Sequence, residues 1–398
     1  MNVTATLGDS AAATCAVRAD LTAWLFEQAL PLWWRDGTDH SAGGFFEKIG
    51  RDGRVIDEPR RTRVVGRQIF VFATAGSIGW QGPATAAVEH GLDYLRRHSI
   101  AADGSVVFST RPDGSVIDSR FDLYDMAFAL FGLSAAHVMA PSPDLAALAA
   151  RMRERLIADR RHPGGGYEET IPRTLPLKAN PHMHVFEAAV AWAEATQGTA
   201  DEAAWRAMAD DIGRLCLPYF IDRDTGCLRE FFDADWRPMP DESGRLVEPG
   251  HQFEWAWLLL RWSQGRMPEV TRAARRLVEI AENHGTDHAL GITFNELNDD
   301  LSPRDQRFRL WPQTERIKAW LAMATVAETE AERAAALAAV AAAGRGLARF
   351  FAEDVPGTWN ERFNQDGSAI ADASPASSLY HITCAIAEMW TSRGLDPR

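Results

Sequence analysis

Apolar residues recur every three to four positions over long stretches of this chain, with polar or charged residues on the opposite positions. This spacing is typical of amphipathic α-helices, and the alanine content of many stretches favours the same conformation. We predict twelve helices, near residues 17–35, 64–79, 84–99, 122–139, 144–160, 182–197, 202–218, 250–264, 267–284, 312–327, 330–350 and 377–393.

A glycine followed by a short apolar or aromatic run recurs about every sixty residues between these helices. The copies read GGFFE, GSVVF, GGGYE, GCLRE, GITFNE and GTWNE, beginning at Gly43, Gly104, Gly164, Gly226, Gly291 and Gly357. Several continue into an Asp-Gly turn, as in GRDGRVID, RPDGSVID and FNQDGSAI, which predicts short β-hairpins. The chain therefore contains an internal repeat of one hairpin and two helices.

Six helix pairs at even spacing fit a closed ring, so we predict an all-α fold, a single (α/α)6 barrel of twelve helices with short β-hairpins between helices. An open solenoid of helix pairs is the alternative. No Pro/Ser-rich linker divides the chain. We therefore expect one catalytic domain over residues 1–398, with residues 1–16 as a flexible N-terminal segment.

The composition limits the binding partners and the cellular compartment that we expect for this protein. The chain has 42 basic and 55 acidic residues, a net charge of −13 that argues against nucleic-acid and anionic-membrane surfaces. We find no signal peptide and no apolar run long enough to span a membrane. Four scattered cysteines without a CxxC motif fit reduced thiols. We expect a cytoplasmic monomer or homodimer.

Every second predicted helix begins with polar residues that are out of place in the apolar helix that follows. If these helices form the inner ring, their starts meet at one mouth of the barrel. Helix caps and paired core residues could explain any one of them, but they explain all six poorly. The residues are Arg67, Tyr124, Asp125, Asn180, His182, His184, Glu187, Glu248, His251, Glu254, Trp255, Trp257, Trp311, Gln313, Glu315, Ser377, Tyr380 and His381.

Two of these helices carry a histidine three residues before a glutamate, as His184–Glu187 and His251–Glu254. Residues at this spacing share a helix face, where a carboxylate can fix the tautomer of an imidazole. His182 and His184 are two residues apart and diverge in a helix, and no HExxH motif or cysteine cluster is present. We therefore predict no metal, and no cofactor, because the chain also lacks phosphate-loop and dinucleotide motifs.

Six motifs occur in order from Arg67 to His381: GRQIFVFA, LYDMAFAL, NPHMHVFEA, PGHQFEWAWLL, RLWPQTE and SSLYHI. With them the chain resembles the N-acylglucosamine 2-epimerase superfamily, which includes cellobiose 2-epimerases and D-mannose isomerases. The segment PASSLYH before the last histidine resembles the D-mannose isomerase branch. The resemblance implies the barrel fold and sugar chemistry that needs no metal.

The resemblance also implies roles for single residues. We expect His251, oriented by Glu254, to open the sugar ring, His381 to move the C2 proton, and Arg67 to stabilise the oxygen charge. His184 completes the predicted catalytic set. The predicted substrate-binding residues are Tyr124, Asn180, Trp311, Glu187, Gln313 and Glu315.

The predicted function is a metal-independent aldose–ketose isomerase that interconverts D-mannose and D-fructose through a cis-enediolate. A sugar 2-epimerase using the same histidines is the main alternative. An inverting glycoside hydrolase built on Glu248, Glu254 and Glu315, and a pure binding protein, are two others. We expect a free monosaccharide rather than a phosphorylated one, because Arg67 is the one arginine that sequence assigns to the pocket.

Overall fold

A computed structural model describes residues 6–351, 354–392 and 395. Helices α1 (Leu7–Trp24) and α2 (Leu30–Arg35) run on through the π turn Leu25–Ala29 as one unit, so the described chain has the twelve predicted helical units. The others are α3 (Thr62–Ser77), α4 (Ala84–Tyr94), α5 (Leu123–Met139), α6 (Pro143–Arg160), α7 (Ala179–Ala195), α8 (Glu202–Leu215), α9 (Pro249–Ser263), α10 (Pro268–His284), α11 (Trp311–Thr325), α12 (Glu330–Ala348) and α13 (Ala376–Thr391).

The first helix begins earlier than predicted. The Thr6 side chain accepts a hydrogen bond from the Asp9 backbone N–H, and the Asp9 side chain accepts one from Thr6, which forms a capping box. Thr14 is buried and donates a 2.8 Å hydrogen bond to the Leu337 carbonyl of α12. The prediction of a flexible segment over residues 1–16 is therefore wrong for residues 7–16, and residues 1–5 lie outside the described residues.

The inner ring consists of α3, α5, α7, α9, α11 and α13. Each of these helices packs against the next, and α13 packs against α3, so the ring closes and the open solenoid is excluded. The other six units pack behind this ring. The backbones of α3 and α5 approach each other closely at Gly66, where a Cβ atom would lie 2.1 Å from the Phe128 carbonyl oxygen.

The predicted hairpins lie between the helices, although most are very short. In five of the six copies the first glycine of the motif takes a positive φ, and Gly165 does so in the GGGYE copy. The strands are β1 (Lys48–Ile49), β2 (Val55–Ile56), β3 (Arg60–Arg61), β4 (Ser109–Thr110), β5 (Val116–Asp118), β6 (Leu177–Lys178), β7 (Phe231–Phe232), β8 (Leu246–Val247), β9 (Thr286–Asp287), β10 (Ile292–Asn298), β11 (Pro303–Arg309), β12 (Arg362–Phe363) and β13 (Ser374–Pro375).

The β10–β11 hairpin is the exception in length. Both strands have seven residues, and they form the centre of an antiparallel sheet with the order β12-β11-β10-β8. One helix in the described chain, Glu330–Phe351, is long and apolar enough to cross a membrane by composition, which the sequence analysis did not expect. It packs against α1 and α11, and 56% of its most apolar window is buried in the protein.

Candidate active site

A cavity of about 510 Å³ opens where the inner helices begin. The expected meeting of helix starts at one mouth is therefore found. The lining residues from the inner helices and the N-cap of α9 are Arg67, Tyr124, Asn180, His184, Glu248, His251, Glu254, Trp311, Ser377, Ser378 and His381. The β10–β11 hairpin adds Asn295, Asp305, Arg307, Phe308 and Arg309, and the chain around β12 and β13 adds Glu361, Arg362 and Pro375.

The inner helices contribute residues to the site in layers. One layer is formed by the sixth residue of each inner helix. In α11 the count starts at the N-cap, Leu310, because this residue already has helical dihedral angles. All six side chains are buried, and neighbours approach one another around the ring. This sixth-residue layer is Arg67, Phe128, His184, Glu254, Glu315 and His381.

A second layer lies about one helical turn deeper and is formed by the ninth residue of each inner helix, counted in the same way. Its members again touch, since Phe70 stacks on Phe131 and the Lys318 ammonium lies 3.9 Å from the Trp257 ring centre. The two layers explain how one cavity floor brings together histidines, carboxylates and cations from different helices. This ninth-residue layer is Phe70, Phe131, Glu187, Trp257, Lys318 and Cys384.

Two histidines of the sixth-residue layer each bind a buried carboxylate. His184 Nδ1 lies 3.1 Å from Glu187 Oε2, which realises the predicted pair, and His381 Nδ1 lies 2.9 Å from Glu315 Oε1. A carboxylate accepts, so each ring carries its proton on Nδ1 and leaves Nε2 free. Burial lowers the pKa of His184 to about 4, against the pull of Glu187. Burial, reinforced by Arg67 and Lys318, holds the pKa of His381 well below its usual value.

His251 has the opposite electrostatic environment. Its Nδ1 lies 3.0 Å from Glu230 Oε1 and 3.6 Å from Glu248 Oε2. Burial alone would lower the pKa of His251, but these two carboxylates outweigh it and raise the pKa to about 10. The predicted orienting role of Glu254 is therefore wrong: the carboxylates at His251 Nδ1 belong to Glu230 and Glu248, while Glu254 lies one turn deeper, among the His184 and His381 pairs.

Glu254 itself has no hydrogen-bond partner at either carboxylate oxygen within the described residues. The Lys318 ammonium is 4.0 Å from its Oε1. Burial, followed by the nearby Glu315 carboxylate, raises the pKa of Glu254 well above its usual value. Burial thus favours the protonated form of Glu254, in which the carboxyl group can donate a hydrogen bond.

Arg67 is a buried cation that faces the cavity. Its Nη2 donates a 2.6 Å hydrogen bond to the Tyr124 hydroxyl, and its Cζ lies 4.0 Å from the Phe128 ring centre. No carboxylate of the described chain lies within ion-pair distance of it, and its Nε has no partner there. This guanidinium is therefore available to bind an anionic or strongly polar oxygen of a ligand.

Trp311 lies between the two types of histidine, with its ring centre 4.9 Å from that of His251 and 5.8 Å from that of His381. Asn180 lines the same cavity, and its side-chain oxygen has no partner within the described residues. Glu187 and Glu315, predicted to bind substrate, do not line the cavity but hold His184 and His381 from below.

Gln313 was also predicted to bind substrate, and this prediction is wrong. Its side-chain oxygen accepts from the Thr293 backbone N–H at 2.8 Å, and its amide donates to the carbonyls of Thr293 and Arg309. These bonds fix β10 to the start of α11. Gln313 does not line the cavity, because it points towards the hairpin.

The same contact occurs in two other repeats. Gln252 accepts from the Leu228 backbone N–H at 2.7 Å and donates to its carbonyl at 2.9 Å. His182 Nε2 accepts from the Tyr167 backbone N–H at 3.0 Å. Both ring nitrogens of His182 thus contact backbone atoms, Nδ1 lying 2.8 Å from the Lys178 carbonyl oxygen, whereas His184 lines the cavity.

Sequence reasoning missed Glu230, Lys318 and the arginines of the rim. Glu230 ends the repeat motif GCLRE, and Glu361, which lines the cavity, ends GTWNE. The recurrent glutamate of the repeat was thus an available signal for both. Burial raises the pKa of Glu361 to about 7, against the charge of Arg309.

Two overlapping groups of described residues bring three ligand atoms close enough for a metal ion: His184, Glu187 and Glu254, and Glu254, Glu315 and His381. The Lys318 ammonium, however, lies 2.5 Å from Glu315 Oε2. This cation already compensates the carboxylates and would repel a divalent ion at such short range. The donor sets therefore fit a metal poorly.

The chain matches the family model described as N-acylglucosamine 2-epimerase over residues 44–385. It is 44% identical to the protein named mannose-6-phosphate isomerase of Rhizobium meliloti (strain 1021), covering 93% of this chain and 96% of that one. It is 22% identical to a cellobiose 2-epimerase of Bacteroides fragilis, covering 74% and 78%.

Solved structures show the same fold at low identity. A D-mannose isomerase superposes with a TM-score of 0.80 at 21% identity, covering 92% of this chain and 96% of that one. The cellobiose 2-epimerase of Bacillus thermoamylovorans B4167 gives a TM-score of 0.82 at 17% identity, covering 93% and 98%. With the motifs, the closed barrel and these matches together, the chain belongs to the N-acylglucosamine 2-epimerase family and is an isomerase.

Proposed function

We propose that this protein interconverts D-mannose and D-fructose without a metal, with histidines as acid and base. The observation that carries the proposal is the contrast between two histidines on one cavity. His251, between two carboxylates, is an imidazolium at neutral pH, whereas His381 is a neutral imidazole with a free Nε2. One is suited to donating a proton and the other to accepting one.

The first step is ring opening. The His251 imidazolium donates a proton to the ring oxygen as the bond from C1 to that oxygen breaks. The Glu248 carboxylate, which lines the cavity beside His251, accepts the O1 hydroxyl proton. C1 becomes an aldehyde, and transfer of the proton from Glu248 back to His251 restores the starting state.

The second step moves hydrogen between carbons. His381 Nε2 removes the C2 proton and the charge passes to O1, giving a cis-enediolate. His381 then returns the proton to C1 while the O2 hydroxyl proton passes to O1, which leaves the carbonyl at C2. Arg67, which no described carboxylate neutralises, stabilises the oxygen charge. Tyr124, Asn180 and His184 position hydroxyl groups, and Trp311 packs on the sugar.

The substrate is proposed to be the free sugar. The sequence favoured the free sugar because it assigned only Arg67 to the pocket. That argument is weaker in the structure, because Arg307, Arg309 and Arg362 also line the cavity. Two of these are neutralised, since Arg307 pairs with Asp305 and Arg362 pairs with Asp372. Only one rim guanidinium of the described chain is then left for an anionic group. The name of the Rhizobium relative makes mannose 6-phosphate the substrate to test beside mannose.

A 2-epimerase is the second candidate. It must return the proton to the opposite face of C2, which requires a second base. His184 supplies one, because it lines the same cavity with a free Nε2. The cellobiose 2-epimerases among the relatives favour the same reading.

Proton NMR of the EDTA-treated protein in D2O tests these proposals. With D-mannose we expect fructose, and no fructose with His381→Ala. Glucose deuterated at C2 and formed before fructose would identify an epimerase. Turnover of mannose 6-phosphate without turnover of mannose would refute the substrate but leave the proton chemistry standing. Activity that EDTA abolishes and a divalent ion restores would refute metal independence.

A further inference from the structure

Lys318 is fully buried under the cavity, in the ninth-residue layer. Its ammonium lies 2.5 Å from Glu315 Oε2, 4.0 Å from Glu254 Oε1 and over the Trp257 ring. Removing a charge from water is costly unless it is compensated, and an apolar residue would fill this place more cheaply. The retained charge therefore points to a function, and the inference below rests on the proposed isomerisation.

The charges around Lys318 nearly cancel. Its own helix contributes Glu315, and the other inner helices contribute two further carboxyl groups and one guanidinium. Three carboxyl groups, of which Glu254 is the one that burial most favours in its protonated form, therefore face one ammonium and one guanidinium. The titratable and charged groups that face this region are Glu315 from α11, Glu254 from α9, Glu187 from α7, Tyr380, His381 and Cys384 from α13, and Arg67 from α3.

Glu315 connects Lys318 to His381. Its Oε2 meets the ammonium, and its Oε1 meets His381 Nδ1 at 2.9 Å. The His184–Glu187 pair differs in its second partner. Glu187 accepts a 2.5 Å hydrogen bond from the Tyr380 hydroxyl, whereas Glu315 faces an ammonium group. The cation is thus placed behind the histidine that the proposed mechanism uses as its base.

We propose that Lys318 is a positioning residue that keeps Glu315 ionised and thereby holds the His381 proton on Nδ1, with Nε2 free to take the C2 proton. Without the ammonium, a buried Glu315 binds a proton. A neutral Glu315 donates to His381 Nδ1, so the ring must carry its own proton on Nε2. In that tautomer His381 cannot act as the base.

Lys318→Met tests this inference by removing the charge at similar volume. We expect kcat to fall by about 10²-fold or more, the usual contribution of a positioned base, while KM changes by less than about threefold. The acid limb of the pH profile of kcat moves upward by about 1–3 pH units, because loss of a cation favours proton binding at Glu315 and His381.

Arg316→Met is the matched control. Arg316 is the neighbour of Glu315 on α11, is 3% exposed and forms an ion pair with Glu282, whose Oε2 lies 2.8 Å from the Arg316 Nε. The Arg316→Met variant loses a comparable buried ion pair, and this ion pair does not contact His381. Equal losses of kcat in both variants, or an unchanged kcat and acid limb in Lys318→Met, would overturn the positioning role.

A tautomer measurement separates this inference from the proposed function. In 15N-histidine-labelled protein, with His381→Ala to assign the signal, we expect the Nδ1-protonated tautomer in the wild type and the Nε2-protonated one in Lys318→Met. The same tautomer in both overturns the inference, even if mannose is turned over. The expected change supports it even if no sugar is turned over. If Lys318→Met does not fold, Lys318→Gln, which keeps a donor without the charge, is judged by the same criteria.

Discussion

Glu230 is the nearer of the two carboxylates that raise the pKa of His251, and its replacement gives the sharpest test of the acid–base assignment. The pKa of His251 rises from 6.5 to about 10. That difference is worth about 5 kcal/mol at about 1.4 kcal/mol per pKa unit. Burial opposes this rise, so the two carboxylates together contribute more than the net difference. Coulomb attraction falls as the inverse of distance, so Glu230 at 3.0 Å contributes slightly more than Glu248 at 3.6 Å.

Glu230→Gln removes the nearer charge but keeps an oxygen that can accept from His251 Nδ1. We expect the pKa of His251 to fall by about 2 units, to about 8. His251 acts as an acid, so activity is present below its pKa and is lost as pH rises through it. The basic limb of kcat/KM should therefore move from near 10 to about 8, while the rate at pH 7 changes by less than about threefold.

Initial rates of mannose isomerisation between about pH 5 and pH 10.5, with 15N NMR titration of His251, measure this shift. Glu248→Gln is the graded comparison, with a smaller shift and a higher KM, because Glu248 lines the cavity. A basic limb that stays in place in Glu230→Gln would refute the assignment of His251 as the acid. A rate at pH 7 that falls as far as in His251→Ala would show that Glu230 has another role.

Three further predictions concern single contacts. Burial favours the protonated form of Glu254, and Glu254→Gln replaces that form by an amide of similar shape, so we expect kcat within about tenfold of wild type and an unfolding free energy within about 1 kcal/mol; a much larger loss would show that Glu254 acts as a carboxylate. Gln313→Leu leaves backbone groups of Thr293 and Arg309 unpaired and should lower the unfolding free energy in urea by about 2–4 kcal/mol; an unchanged value would contradict the structural role. Thr6→Ala should cost about 1 kcal/mol in the same assay, unless the capping box does not form.

The helices and the inner ring could be predicted because apolar periodicity and a sixty-residue repeat are local signals. The start of α1 was missed because the prediction followed apolar periodicity, whereas the true signal is the polar pattern of Thr6 and Asp9, a threonine three residues before an acid. Once that pattern is recognised, the helix start is readable from sequence.

The contacts made by each site residue were harder to predict from sequence, because they depend on the direction in which the side chain points around its helix. His251 and Glu254 lie three residues apart on one helix, but His251 meets Glu230 from the hairpin before that helix, whereas Glu254 points towards Lys318. Gln313 begins an inner helix as the binding residues do, yet it faces the hairpin. Sequence shows that these helix starts are polar, and tertiary structure decides which polar residue reaches the ligand.

The layered arrangement has a consequence for how such a barrel can evolve. Successive members of the sixth-residue layer are 61, 56, 70, 61 and 66 residues apart, so repeat length varies while the helical register does not. One inserted residue in the first turn of an inner helix would turn the following side chains by about 100° and shift them by about 1.5 Å. Length changes are therefore compatible with the site only outside the first turns of the inner helices, in the outer helices, loops and hairpins, whereas a change of chemistry requires exchange of one side chain within a layer.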